Sequence, residues 1–348
     1  MRAEIEEQPQ ALRATLGALL PRTGEIAALG RDTRHVLFIA RGTSDNAAVY
    51  GSYLVQVRTG RLATLASPSV ATAYRSRLDL SGVLAVALSQ SGRTEEIVET
   101  QAWAADCGAR TLAITNGAGS PLAEAAEVAL VTEAGVERAV PATKTFTTAL
   151  AALAVLGIAL AAGSAGAEGA EPLDAGELRS VPGEIERLLA APNDLEPIID
   201  GLAGVGGAVV SGRGYAYSAA LEFALKLKEA CYLHAMGLSF ADLLHGPIAV
   251  VDGRTPAIIM AADSGPTLDG AVALAGRVTQ AGATAYGIGG GTALAAACAY
   301  ALPGPRLPEW LAPIGLITGG QLLTEALARR LGINPDTPRG LSKVTQTS

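Results

Sequence analysis

The stretch VALSQSGRTEE (Val86–Glu96) recurs further along the chain as IMAADSGPTLD (Ile259–Asp269), and this pairing decides the fold. On either side of it, FIARGTSDNAA (Phe38–Ala48) matches VVSGRGYAYSAA (Val209–Ala220), and CGARTLAITNG (Cys107–Gly117) matches AGATAYGIGGG (Ala281–Gly291). Three matches in one order at a nearly constant separation identify a duplicated domain. Within each copy, short apolar runs such as HVLFIA, VLAVAL and RTLAIT have the character of buried parallel strands. Helical segments separate them, as in TEEIVETQAWAADCG, where Ile97, Val98, Trp103 and Ala104 share a broad apolar face. Right-handed crossovers then predict α/β architecture: tandem three-layer αβα subdomains, each with a parallel doubly wound sheet.

The expected organisation is an N-terminal helical segment over residues 1–30, packed across the junction of the copies, and a first subdomain over 31–160. A linker with connecting helices covers 161–200, a second subdomain 201–330, and a C-terminal tail 331–348. The linker begins with the small-residue run AAGSAGAEGAEP. The 14-residue apolar run Ala149–Ala162 falls short of the ~20 residues a membrane span needs and is expected to form a buried helix.

Composition narrows the class. With 49% hydrophobic and 17% charged residues the chain is globular, and a net charge of −7 argues against a general nucleic-acid surface. The three cysteines, Cys107, Cys231 and Cys298, lack metal-ligand spacing. Their odd number, with no export signal in MRAEIEEQPQ, points to a reduced cytoplasmic protein without metal or cofactor. The glycine-rich GIGGGTALAA is only a weak nucleotide signal and, as the counterpart of AITNGAGSPLA, an ordinary turn of the repeat.

Ser89, Gln90, Ser91 and Thr94 stand where a strand passes into a helix. Hydroxyls there can cap the helix or, with its free amides, form a cup for a phosphate. In the second copy Ala262 replaces Ser89 and Asp263 replaces Gln90. A buried Asp263 would repel an anion, which favours a working cup in copy one only, with its hydroxyls also capping the helix. Glu222, Lys226 and Glu229 fall on one helical face beside Leu225 and Leu233. That spacing leaves open both an ion-pair ladder and a carboxylate that shuttles protons. His35 is expected to begin a strand and His234 to sit late on a helix, while His245, in LLHGP, lies at a helix end.

Together ARGTSDNA, SQSGRTEE, AGVERAVPATKTFTTAL, ALEFALKLKEACYLHA, LLHGP and TPRGLSKVT resemble the sugar isomerase (SIS) family, over nearly the whole chain. Within that family the chain is most similar to isomerase domains that act on amino-sugar phosphates. The resemblance implies that Ser89, Gln90, Ser91 and Thr94 hold a sugar phosphate, with Thr43 and Ser44 closing the sugar side. It assigns proton transfer between C1 and C2 to Glu229 with support from Lys226, ring opening to His245, and a Schiff base to Lys343 in a tail folded over the substrate. It also implies a homodimer with sites near the subunit interface, no nucleic acid and no membrane.

Two departures shape the expected activity. No N-terminal glutaminase domain precedes MRAEIEEQPQ, and Ala142 in VPATK stands where the family's synthases usually carry a serine that contacts the sugar. The expected reaction is therefore conversion of glucosamine 6-phosphate to fructose 6-phosphate and ammonia. Alternatives are a fructosamine-6-phosphate deglycase, a simple aldose–ketose phosphosugar isomerase, or a sugar-phosphate-sensing module.

Overall fold

The computed structural model describes residues 1–162, 172–192 and 194–343. Residues 163–171 of the expected linker and 344–348 of the expected tail lie outside the described residues. In chain order the elements are α1 (Arg2–Glu6), α2 (Gln8–Leu19), α3 (Thr23–Leu29), β1 (His35–Ile39), α4 (Thr43–Thr59), β2 (Leu62–Leu65), α5 (Ser69–Thr72) and β3 (Val83–Leu88). Then come α6 (Glu95–Asp106), β4 (Arg110–Thr115), α7 (Pro121–Glu124), β5 (Val128–Val131), α8 (Lys144–Ala162), α9 (Ala175–Ala190) and α10 (Glu196–Ala203). The second copy supplies β6 (Gly207–Gly212), α11 (Ala216–Cys231), β7 (His234–Ser239), α12 (Phe240–Leu244), β8 (Ala257–Ala261), α13 (Leu268–Gln280), β9 (Ala285–Gly289), α14 (Gly291–Ala297), β10 (Tyr300–Leu302) and α15 (Ala312–Arg330).

The chain divides into two compact units. One holds Gln10–Glu137 and Lys144–Arg179, and the other Met1–Pro9, Arg138–Thr143 and Ser180–Lys343. Each contains a five-stranded sheet, in the order β2-β1-β3-β4-β5 in the first and β10-β9-β8-β6-β7 in the second, with all strand pairs parallel. Read from the β7 edge, the second order repeats the first. The duplication inferred from sequence is therefore a duplication of topology.

Both sheets are covered on two faces, which is why their central strands are apolar throughout. In the first unit Ala85, Ala87 and Ala113 pack with Ile97 and Ala104 of α6 and Leu122 of α7. On the opposite face Phe38 meets α4 and α8. A Cβ on Gly51 of α4 would lie 2.8 Å from the Phe38 ring and 2.9 Å from Leu153, so only glycine permits that approach. The second unit repeats the device: Gly320 of α15 lies where a Cβ would come within 2.9 Å of Phe223 of α11. The chain's wealth of small residues is thus spent on close helix contacts.

Helix α8 is the one helix among the described residues long and apolar enough to cross a membrane, but most of it is buried. Phe146, Leu150, Leu153 and Leu156 are all inside the core. No disulfide forms among Cys107, Cys231 and Cys298. Burial pushes the Cys231 thiol up to about 12 and the Cys298 thiol up to about 11, so neither is a nucleophile near neutral pH.

The expected place of His234 is overturned. His234 is not on a helix: α11 ends at Cys231, and His234 opens β7, paired with Gly207 of β6. The cause is Tyr232, which caps the helix in the left-handed conformation (φ 55°, ψ 26°) and turns the chain into the sheet. That geometry costs a non-glycine residue roughly 1–2 kcal/mol.

Candidate functional site

In the first sheet the crossovers reverse direction between β1 and β3: β1 leads outward to β2, and β3 leads the other way to β4. At such a switch point the two strand-to-helix turns diverge and leave a crevice at the carboxyl ends of the strands. Thr43 and Ser44 begin α4 above β1, after Gly42 at φ 56°. Ser89 to Thr94 form the turn above β3. The topology therefore brings together all six residues expected around a sugar phosphate.

The β3 turn is built as a closed loop. The Gly92 amide donates to the Ser89 hydroxyl at 3.2 Å, the Arg93 amide to the Ser91 hydroxyl at 3.2 Å, and the Ser89 and Thr94 hydroxyls lie 3.4 Å apart. Ser89 is 6% exposed, while Gln90, Ser91 and Thr94 are half-buried. From behind, the Asn116 amide donates to the Gln90 carbonyl at 3.0 Å and the Leu122 amide to the Gly92 carbonyl at 3.1 Å. Beside the turn, the Arg41 guanidinium is bidentate on Glu96 of α6 at 2.8 and 2.9 Å. That hydrogen bonding holds the Arg41 pKa above the ordinary value, and burial pushes the Asp45 carboxyl up despite nearby Arg41.

The Thr94 hydroxyl does not cap the helix. Thr94 is the N-cap of α6 in extended geometry, yet its side chain makes no capping hydrogen bond. The serine hydroxyls serve loop amides instead. The acidic first turn, Glu95 and Glu96, complements the helix dipole.

The second repeat has the same switch point, between β6 and β8, but carboxylates occupy it. Asp263 is exposed, contrary to the sequence expectation, because its turn lies at the strand ends and its carboxylate accepts the Gly291 amide at 2.9 Å. Thr267, the counterpart of Thr94, donates to Glu309 at 3.2 Å, and a Cβ on Gly265 would lie 2.8 Å from the same carboxylate. Two acidic groups there disfavour an anion.

Helix α11 carries the remaining acid–base candidates. Glu222 and Lys226 are 0% and 1% exposed, 3.3 Å apart, and Lys226 also donates to Glu229, which is 22% exposed. Burial pushes the Lys226 ammonium down, but Glu222 and Glu229 outweigh it and hold its pKa above the ordinary lysine value. The result is a dry ion pair with a second carboxylate at its open end. In the same unit, His245 is exposed at the C-cap of α12, and its amide donates to the Asp242 carbonyl at 3.1 Å. Ala142 is half-buried, and the Lys343 amine donates to the Ala139 carbonyl at 2.6 Å.

Sequence reasoning missed Glu309 and the Arg41–Glu96 clamp. The recurrence of Arg-Gly at Arg41-Gly42 and Arg213-Gly214 was the available signal for the clamp. Nothing local in PEWLAP marks Glu309, which lies far from Thr267 in the chain.

Two outcomes test this geometry. Gly92 has φ 63°, and a Cβ there would fall 2.0 Å from the Ser120 hydroxyl. Gly92→Ala should therefore cost about 1–3 kcal/mol of stability. An unchanged thermal midpoint in a calorimetric scan would contradict this close packing. Lys226→Met should destabilise by about 3–5 kcal/mol in urea titrations, because Glu222 loses its ammonium partner in the core. Adding Glu222→Gln should restore most of that loss.

Known proteins place this geometry in a family. The SIS domain model matches residues 31–159 and 202–305, one match per repeat. The glutamine–fructose-6-phosphate aminotransferase (isomerizing) of Pyrococcus horikoshii is 32% identical over 345 residues, covering 99% of this chain and 57% of that protein. The chain thus spans somewhat more than half the length of that curated relative. A crystal structure from Silicibacter pomeroyi DSS-3, assigned as a phosphosugar isomerase, superposes with TM-score 0.86 at 32% identity, covering 96% of this chain and 99% of the other. A glucosamine-6-phosphate deaminase from Thermotoga maritima shares the fold, with TM-score 0.76 at 23% identity and 99% coverage of both chains. The two repeats, each with its switch-point turn, are SIS domains, and the chain belongs to the SIS domain family.

Proposed function

We propose that this chain converts glucosamine 6-phosphate and water to fructose 6-phosphate and ammonia. The observation that carries the reading is the α11 face, where a buried Glu222–Lys226 pair leaves Glu229 as the accessible carboxylate beside a permanent ammonium. A base so placed suits proton transfer between adjacent carbons of an open-chain sugar. The Silicibacter structure, assigned as a phosphosugar isomerase, supports chemistry of this class. The name of the Pyrococcus relative joins isomerisation to amino transfer on fructose 6-phosphate, and deamination traverses the same carbons in reverse.

In this proposal the loop Ser89–Thr94 takes the phosphate, with Thr43 and Ser44 on the sugar side. His245 opens the ring to the free aldehyde. Glu229 removes the C2 proton and returns it to C1, which converts the aldehyde and C2 amine into a C1 alcohol and a C2 imine. The Lys343 amine attacks that imine and expels ammonia. Water then hydrolyses the new imine, releasing the ketose and regenerating the amine. Lys226 holds Glu229 in place through its ion pair.

The test is release of ammonia and fructose 6-phosphate from glucosamine 6-phosphate without glutamine. Equal release of both is expected, with a raised KM in Ser89→Ala and a kcat about 10²–10⁴-fold lower in Glu229→Gln. Binding without ammonia release would overturn the deaminase reading. Amino-acid release from a fructosamine 6-phosphate would then identify a deglycase, and aldose–ketose interconversion alone a simple isomerase. A response to ligand that survives Glu229→Gln would identify a sensor. The proposal includes a homodimer, and sedimentation should give twice the 35.1 kDa chain mass; a monomer under assay conditions would remove this part.

A further inference from the structure

Tyr232 holds a backbone geometry that suits glycine or asparagine far better than tyrosine. A residue kept in such a conformation points to a side chain that is needed there. Its side chain has a defined partner. The Arg339 guanidinium lies over the Tyr232 ring, 4.3 Å from its centroid, and the Arg339 amide donates to the Tyr232 hydroxyl at 2.8 Å. One residue of the tail therefore engages both the face and the tip of one aromatic side chain.

We infer that Tyr232 is a positioning residue that docks the C-terminal tail at the end of α11 and so sets the reach of the Lys343 amine. This rests on the role given to Lys343 above. Tyr232 follows Glu229 by three residues, about 4.5 Å along a helix axis. Lys343 follows Arg339 by four residues, which span at most about 14 Å when extended. Anchoring Arg339 on Tyr232 thus confines the Lys343 backbone to the neighbourhood of the helix end that carries Glu229. The tail has further ties on the same unit. The Val140 amide donates to the Asp336 carbonyl at 2.9 Å, Pro338 is buried, and the Lys343 amine rests on the Ala139 carbonyl. The Asp336 carboxylate also pairs with the Met1 amine, and Tyr232 adds the aromatic tie at the end of α11, which a single substitution there removes.

Tyr232→Asn separates docking from folding, because asparagine relieves the backbone strain while deleting the ring and hydroxyl. The expected result is a thermal midpoint equal to or above the wild type, with tryptic cleavage after Arg339 about tenfold faster. Borohydride trapping of fructose 6-phosphate on Lys343, read by mass spectrometry, should slow by a similar factor. In turnover, kcat should fall with KM little changed. Tyr232→Phe, which keeps the stacking and loses the hydroxyl, should fall between the two. Unchanged cleavage and trapping in Tyr232→Asn would overturn the inference, as would a drop in stability that accounts for both effects. Tryptic protection that depends on Tyr232, with no trapping even in the wild type, would uphold the dock and reject the Schiff-base role of Lys343.

Discussion

A parallel strand can be followed by another parallel strand only if the chain returns across the sheet, and that return dictates the rest of this molecule. It demands a helix after each strand, covers both faces of the sheet, and makes the central strands apolar from end to end, as in β3 and β8. Because the crossovers are right-handed, covering both faces also requires one place in each sheet where successive returns run in opposite directions. In the first repeat this falls between β1 and β3, and the polar turn residues of the chain are concentrated there. The glycine contacts at Gly51 and Gly320 belong to the same constraint, because the covering helices must lie close to the sheet and to one another.

Duplication copied the switch point but not its charge. In the first repeat the turn is lined by hydroxyls and amides, with Arg41 tied to Glu96 at its side. In the second, Asp263 and Glu309 bring carboxylates to the equivalent turn. The backbones match while the lining differs, hydroxyls and amides in one turn and carboxylates in the other. Glycine is retained in both, at Gly92 and Gly265, because each turn requires positive φ.

Helix α11 departs from its counterpart α4 in a different way. Placing Lys226 in the core is tolerable only because Glu222 is there with it, and such a pair contributes little net stability beyond avoiding an unpaired charge. Its value lies in what it imposes on Glu229, which completes the pair from the solvent side. Tyr232 then spends conformational energy to end the helix, where a glycine would have ended it without strain.

The sequence by itself determined the class of fold, the duplication, the strand-to-helix turns and the common face of Glu222, Lys226 and Glu229. Each depends on local periodicity or on self-similarity, and both are written in the order of residues. It misplaced His234, since the helical pattern ALEFALKLKEACYLHA continues past the point where Tyr232 turns the chain, and a left-handed tyrosine leaves no compositional mark. It expected helix capping by the SQSGRT hydroxyls, because hydroxyl residues at a helix start usually cap; which amide a hydroxyl reaches is set by the path of the loop. It placed Asp263 inside, where the turn in fact faces outward at the strand ends. Only tertiary structure decided that Glu309 meets Thr267, that Arg41 meets Glu96 and that Arg339 meets Tyr232. Those pairs are 42, 55 and 107 residues apart, and only the folded backbone brings their side chains within bonding distance.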